Sequence, residues 1–112
     1  ACIQPGFAVD DADEARAGLG DAWPLAYRWS ALLDAGVPVV TGSDYPIDRL
    51  EPLSGVAKLV ANPFDQISAQ EALRLMTRAE AGTVTLSAEP LAADVRGLGE
   101  IGVLGTAPAT GR

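Results

Sequence analysis

One segment near the middle of the chain constrains the fold most, because a helix-like run, a glycine and a short β-branched run follow each other directly. Asp21 suits a helix N-cap, Pro24 fits a first helical turn, and Gly36 predicts a left-handed helix end. The β-branched run VPVVT at 37–41 then predicts a short buried strand. A helix, a tight turn and a buried strand in this order indicate a parallel α/β sheet or barrel. The helix prediction depends on apolar residues at helical spacing: Leu25, Trp29, Leu32 and Leu33.

The segment before this unit is harder to interpret. ACIQP at 1–5 predicts the end of a short strand stopped by Pro5, with a loop after it. The acidic stretch 10–20 contains carboxylates that favour a helix start, but its glycines weaken a helix, so a loop with at most one helical turn is predicted. Trp23, Tyr27 and Trp29 are predicted to pack a helix on its sheet.

Beyond the strand, a loop rich in Gly, Pro and Asp is predicted over 42–53, followed by a helix from about Leu53 to Ala61. The next helix has the clearest start in the chain, because Ser68 and Glu71 form a capping box; it is predicted to run toward Gly82. The remainder, 83–112, contains one predicted strand and little periodicity. The G-x-G-x-x-G match at 97–102 lacks the following helix of a dinucleotide site.

Composition excludes several classes of protein. The 112 residues carry 15 acids against 8 bases, a net charge of −7, so the basic surface that nucleic acid requires is missing. No apolar run approaches the roughly 18 residues of a membrane span. The single cysteine excludes an internal disulfide and fits a reducing compartment, so a cytoplasmic location is expected. Because the sequence begins with Ala1, an upstream segment is also expected.

The candidate site is Gly42-Ser43-Asp44, directly after the predicted strand. Catalytic groups of α/β barrels lie at the carboxyl ends of strands, and a carboxylate there can ligate a divalent metal and accept a proton from water. From the pattern alone, a plain turn or a cap is the more common use of such a tripeptide. Tyr45, Asp48 and Arg49 follow in the loop, where a barrel enzyme would contact its substrate.

Several motifs occur together in a fixed order. "LLDAGV" ends the predicted helix, "GSDYP" ends the strand and "EPLSGV" follows, all within residues 20–56. "QPGF" precedes them and "SAQEALRLMTRAEA" follows them. In this order they resemble the last barrel strands of the amidohydrolase superfamily, specifically amidohydrolase family 3, which includes N-substituted formamide deformylase-like enzymes. The resemblance covers about residues 1–82.

This resemblance implies an α/β fold, the C-terminal portion of a metal-dependent hydrolase (β/α)₈ TIM-type barrel, with about strands seven and eight at 1–82. Residues 83–112 would be a poorly defined tail that starts the return to a small β-sandwich. The implied reaction is hydrolysis of non-peptide C–N bonds of a small amide-like substrate. Asp44 would be the catalytic residue and a ligand of a divalent metal, of zinc type.

The remaining metal ligands of such a site are mostly histidines, and this chain has none. One carboxylate cannot hold a catalytic zinc, which takes about three protein ligands. The 112 residues alone are therefore expected to be inactive and to need the remainder of the barrel as a partner.

A non-catalytic alternative stays open. The chain could be a small acidic α/β module, or a remnant that packs on a partner through uncovered apolar faces. A cooperative melt of a compact monomer would favour the self-sufficient module, whereas aggregation or a non-cooperative melt would favour the incomplete barrel.

Overall fold

The computed structural model describes residues 1–77, 83–92 and 94–107, and it is a mixed α/β structure. Two short sheets are present in these ranges. In the first, β1 (Cys2–Ile3) pairs in parallel with β2 (Val40–Thr41). In the second, β3 (Thr83–Leu86) pairs antiparallel with β4 (Val103–Ala107). The α-helices are α1 (Pro5–Asp10), α2 (Ala12–Leu19), α3 (Trp29–Asp34), α4 (Pro52–Ala61), α5 (Ala69–Met76) and α6 (Val95–Glu100).

The parallel pairing of β1 with β2 confirms the predicted strand and its sheet type. The backbone bonds continue on both sides of the pairing, from Val40 N–H to the Ala1 carbonyl and from Gly42 N–H to the Ile3 carbonyl, each at 2.9 Å. The strand is shorter than the predicted run 37–41, and Val40 is 37% exposed. Its one partner in the described residues is the two-residue β1, so pairing ends early and the predicted full burial was wrong.

The loop predicted after Pro5 was wrong, because α1 and α2 occupy this segment. Pro5 stands in the first turn of α1, where a backbone N–H has no helical partner and its absence costs little. Asp13 and Glu14 lie in the first turn of α2, next to the positive end of the helix dipole. Gly20, with φ of +52°, ends α2 instead of preventing it.

The single helix predicted from Asp21 is broken into two pieces. A 3₁₀ helix covers Gly20–Leu25 with Pro24 inside it, and α3 begins only at Trp29, after Tyr27 adopts a positive φ of 49°. The break falls at residues 26–28, after Pro24, where the Tyr27 carbonyl accepts a hydrogen bond from the buried Asn62 at 2.9 Å instead of continuing a helix.

Both ends of α3 are capped. Asp65, 35 residues downstream, accepts hydrogen bonds from the Ser30 N–H at 2.6 Å and the Ser30 hydroxyl at 2.7 Å. At the other end Gly36 has a φ of +71°, which confirms the predicted helix end. Its N–H donates to the Leu33 carbonyl at 2.9 Å, and the Val37 N–H donates to the Leu32 carbonyl at 3.0 Å. This pair of bonds is a Schellman motif, and it turns the chain from α3 into β2.

Helix α4 is the centre of the molecule, packing against α1, α5 and α6. The predicted helix over 53–61 is confirmed, and its Val56 and Leu59 are completely buried. Asn62, also completely buried, donates to the Tyr27 carbonyl at 2.9 Å and accepts from the Phe64 N–H at 2.9 Å. Among the described residues, the buried hydrophobic core consists of Ile3, Ala8, Trp29, Val56, Leu59, Ala72 and Leu98.

The predicted packing of the aromatic residues is confirmed for Trp29, which is buried in this core, and Tyr27 packs against it. Trp23 lies nearer the surface, edge-on to Phe64 at a centroid separation of 5.7 Å. The cap predicted at the start of α5 is confirmed, since the Ser68 hydroxyl accepts from the Glu71 N–H at 3.2 Å.

Helix α5 ends at Met76, earlier than predicted, and residues 78–82 lie outside the described part of the chain. In the tail, β3 confirms the predicted strand, whereas α6 and β4 were not predicted. Helix α6 is short and contains Gly97 and Gly99, but the Asp94 carboxylate caps it by accepting from the Gly97 N–H at 2.8 Å. The glycines of the G-x-G-x-x-G match therefore lie in and after a helix, which excludes a dinucleotide turn there. The division of the chain near residue 82 stays a prediction.

Candidate functional site

Asp44 lies just beyond the carboxyl end of β2, as the sequence predicts. Its φ of 54° is left-handed, a conformation that Asp and Asn adopt more readily than most residues. Its carbonyl accepts a hydrogen bond from the Ile47 N–H at 2.9 Å, which closes a turn. Its side chain is exposed. The parallel pair thus presents the carboxylate at the start of the loop 42–51.

The loop 42–51 forms one wall of an open depression of about 430 Å³. The three predicted substrate-loop residues, Tyr45, Asp48 and Arg49, all line it, whereas Asp44 stands beside it. The far wall comes from the first two turns of α4. The lining residues are Tyr45, Pro46, Ile47, Asp48, Arg49, Glu51, Ser54 and Lys58.

Lys58 and two carboxylates form an ion cluster at the base of this depression. The Lys58 Nζ donates to Asp48 Oδ2 and to Asp10 Oδ2, each at 2.9 Å. The Lys58 side chain is 19% exposed and that of Asp48 is 21% exposed, whereas Asp10 is more open to solvent. The inner pair, Lys58 and Asp48, is therefore better shielded from water than an ordinary surface ion pair.

The cluster shifts the pKa values of its inner pair in opposite directions. The hydrogen bond from Lys58 holds the pKa of Asp48 below its ordinary value of 3.8, against the smaller opposing effect of burial. Burial alone would lower the pKa of Lys58, but its hydrogen bonds with Asp48 and Asp10 outweigh burial, and the pKa is raised above its ordinary 10.5. Each partner thus stabilises the charged form of the other.

These shifts predict a pH window for stability. The contribution of Asp48 to the free energy of unfolding is fully present above pH 3.8 and is lost as the pH falls through its lower folded-state pKa. That of Lys58 is complete below pH 10.5 and is lost as the pH rises through its higher folded-state pKa. We expect Lys58→Met to lower the free energy of unfolding by about 1–3 kcal/mol near pH 7, because two carboxylates lose their cation.

The measurement is urea unfolding across pH, with Arg74→Met, a change of an exposed cation on α5, as the matched control. The difference between wild type and Lys58→Met should shrink outside the window from pH 3.8 to pH 10.5. A difference that is constant over pH would show that Lys58 contributes by packing and not by charge.

Three residues of this region, Lys58, Asp10 and Glu51, were not predicted as site residues from the sequence. A usable signal existed for Lys58, because it is the lone charge in the apolar segment PLSGVAKLVA that forms α4. A cation on an otherwise apolar helix requires a partner when it is partly buried. Asp10 carries no such signal, since it belongs to a dense run of acids.

Metal ligands are few in this region. Within the described ranges, no three His, Cys, Asp or Glu side chains lie close enough together to hold a metal ion. The chain contains no histidine at all. The described residues therefore do not form a complete metal site by themselves, and Asp44 is the residue at the strand end that could supply one ligand.

No helix in the ranges that the structure covers is both long and apolar enough to cross a membrane.

Comparison with known proteins identifies the family of this chain. A family model described as amidohydrolase family matches residues 1–90. The chain is 28% identical over 95 residues to "Putative amidohydrolase YtcJ" of Bacillus subtilis (strain 168), an alignment that covers 73% of this chain and 18% of the relative. No solved structure matches significantly. Because the family model covers most of the 112 residues, including β1, β2 and the loop with Asp44, the chain belongs to amidohydrolase family 3.

Proposed function

We propose that this chain is the C-terminal part of a hydrolase that cleaves C–N bonds other than peptide bonds in a small amide-like substrate. The observation that carries the proposal is the position of Asp44, just past the carboxyl end of a parallel strand and at the start of the loop that walls a depression. Family membership supports the reaction class. The chain spans 18% of the length of the curated relative, so the rest of the site would come from other residues.

The proposed setting is a (β/α)₈ barrel, with β1 and β2 as two of its last strands. Support comes from the local order of elements, since α3 leads through the Gly36 turn into β2, and α4 follows the loop. Support also comes from the parallel pairing of β1 with β2. In barrels of this type the catalytic groups lie at the carboxyl ends of the strands, where Asp44 lies.

The proposed role of Asp44 is that of general base. Its carboxylate would take a proton from the attacking water as the water oxygen bonds to the carbonyl carbon, and would pass that proton to the nitrogen as the C–N bond breaks. The Asp44 carboxylate is exposed near the start of the loop, so both the attacking water and the leaving nitrogen can reach it. The described residues do not supply a metal site, so a divalent ion of zinc type would take Asp44 as one ligand and its other ligands from outside these residues.

The test uses the source protein, meaning the polypeptide as it occurs in cells, purified with its metal content measured. Three probes separate the substrate classes: an N-alkyl formamide, an anilide and the cyclic ureide hydantoin. We expect turnover of at least one probe by wild type and a large loss in Asp44→Asn. A wild-type protein that hydrolyses no C–N bond among them would count against the proposal, and equal turnover by both proteins would remove the role of Asp44.

Arg49 gives a separate prediction about substrate binding. Its side chain is 81% exposed and lines the depression, and its salt bridge to Glu51, at 3.6 Å, is too long for a hydrogen bond. Its N–H groups are therefore available to a polar group of a substrate. We expect Arg49→Ala to lower kcat/KM by about tenfold, the effect of one charge-assisted hydrogen bond. Arg74→Ala, on α5, is the matched control. An unchanged kcat/KM in Arg49→Ala would show that Arg49 is only a solvated loop residue.

A further inference from the structure

The loop 42–51 joins β2 to α4. One backbone hydrogen bond and two side-chain hydrogen bonds of Asp48 stabilise its conformation. Near its start, the Ile47 N–H bonds the Asp44 carbonyl. Further along, Asp48 Oδ1 accepts from the Arg49 N–H at 2.7 Å, which is a contact within the loop itself. The other carboxylate oxygen of Asp48 receives the bond from Lys58, and this bond reaches from the loop to α4.

Lys58 connects three parts of the chain through one ammonium group. It lies on α4, it bonds Asp48 of the loop, and it bonds Asp10 at the end of α1, 48 residues away. Helix α1 directly follows β1, and the loop directly follows β2. The cluster therefore links the segments that leave the carboxyl ends of both parallel strands.

The backbone of α1 fits closely against the same contact. Gly6 is buried in α1, and a Cβ added there would lie 3.1 Å from the Asp48 Cγ, 3.3 Å from the Lys58 Nζ, and in collision with Asp48 Oδ2. A side chain at this position would have to displace Asp48. The α1 backbone at Gly6 thus lies directly against the Asp48–Lys58 ion pair and leaves its carboxylate little room to move.

We propose that Lys58 is a positioning residue for the hydrolytic reaction, because its bond to Asp48 fixes the loop 42–51, which contains Asp44. This inference rests on the proposed function of Asp44. It assigns Asp48 to the loop anchor instead of to substrate contact. Tyr45 and Arg49 line the depression from the same loop.

Removing the anchor should affect the chemical step more than substrate binding. A general base must stay within hydrogen-bond reach of its water, and a displacement of about 1 Å can cost roughly 10²-fold in rate. In the source protein we expect Lys58→Met to lower kcat at least about tenfold while KM changes less. Lys58→Arg, which can still bond both carboxylates, should recover part of the loss.

Hydrogen exchange provides a readout that needs no substrate. In Lys58→Met the amides of the loop, including those of Ile47 and Arg49, should exchange about tenfold faster, because the loop opens independently of the core. The amides of α4 around Leu59 should exchange faster only by the factor that corresponds to the lower free energy of unfolding of the variant. Gly6→Ala places a methyl group against the Asp48–Lys58 ion pair, so it should displace Asp48 and give the same pattern, although alanine by itself favours a helix.

The outcomes separate the two proposals. If Asp44→Asn is impaired but Lys58→Met keeps wild-type kcat or wild-type loop exchange, the positioning role is wrong and the proposed function stands. If the loop amides in Lys58→Met accelerate no more than the drop in the free energy of unfolding accounts for, Lys58 is merely structural and the inference is wrong. If Asp44→Asn matches wild type, both proposals are lost. Arg74→Met controls for the loss of a cation.

Discussion

In the source protein, Asp44→Asn should lower kcat by about 10²–10⁴-fold, the usual contribution of a positioned general base. Asparagine is the informative replacement, because it has nearly the same shape and tolerates the left-handed φ of 54° that this position adopts. An alanine there would add backbone strain, which could move the loop. The effect of losing the carboxylate could then not be separated from the effect of that movement. Asparagine cannot accept the proton of an attacking water, so the chemical step is affected directly.

Asp34→Asn is the matched control for this prediction, since it removes one negative charge from an exposed residue at the end of α3. The measurements are kcat and KM on whichever probe the wild type hydrolyses, together with the metal content of each purified protein. A loss of both turnover and metal in Asp44→Asn would indicate a ligand. A loss of turnover alone would indicate a base, and wild-type values for both would refute the assignment.

The largest expected effect on stability comes from Leu59, which is completely buried on α4 between the helices that pack against it. Leu59→Ala should lower the free energy of unfolding by about 2–5 kcal/mol, since it removes buried methyl groups and leaves a cavity. The matched control is Leu50→Ala, because Leu50 is 69% exposed and its truncation leaves no cavity. Urea unfolding of the three proteins measures the difference.

If Leu59→Ala and Leu50→Ala lowered the free energy of unfolding by similar amounts, the position of α4 at the centre of the core would be contradicted. The comparison also bears on the non-catalytic alternative. A cooperative transition of the isolated 112 residues that Leu59→Ala shifts to lower urea would show that this chain forms a core of its own.

Local patterns in the sequence predicted those parts of the fold that depend on neighbouring residues. Gly36 predicted the end of α3, the VPVVT run predicted a parallel strand, and Ser68 predicted the start of α5. Each of these follows from backbone conformation or capping within a few residues. The position of Asp44 at a strand end followed from the same local order, whereas its chemical role stays a prediction.

The misses share a different physical origin, because they depend on contacts between distant segments. Helix α6 contains two glycines and would be unfavourable by propensity, but Leu98 buries 99% of its surface in the core and anchors it. The break before α3 was not foreseen because it depends on Tyr27, whose carbonyl is bonded by the buried Asn62. The anchor at Lys58 requires knowing that Asp10 and Asp48 meet, which no pattern within a single segment shows.

The cap that Asp65 supplies to α3 has a consequence for the order in which the chain assembles on the ribosome. A helix of six residues is unstable by itself in water, and the carboxylate that satisfies its first turn is made 35 residues after Ser30. A nascent polypeptide that has not yet reached Asp65 therefore lacks a partner needed to fix α3 and, through the Gly36 turn, the strand that leads to Asp44. Translation has to pass the loop 42–51 and α4 before the earlier segment becomes ordered.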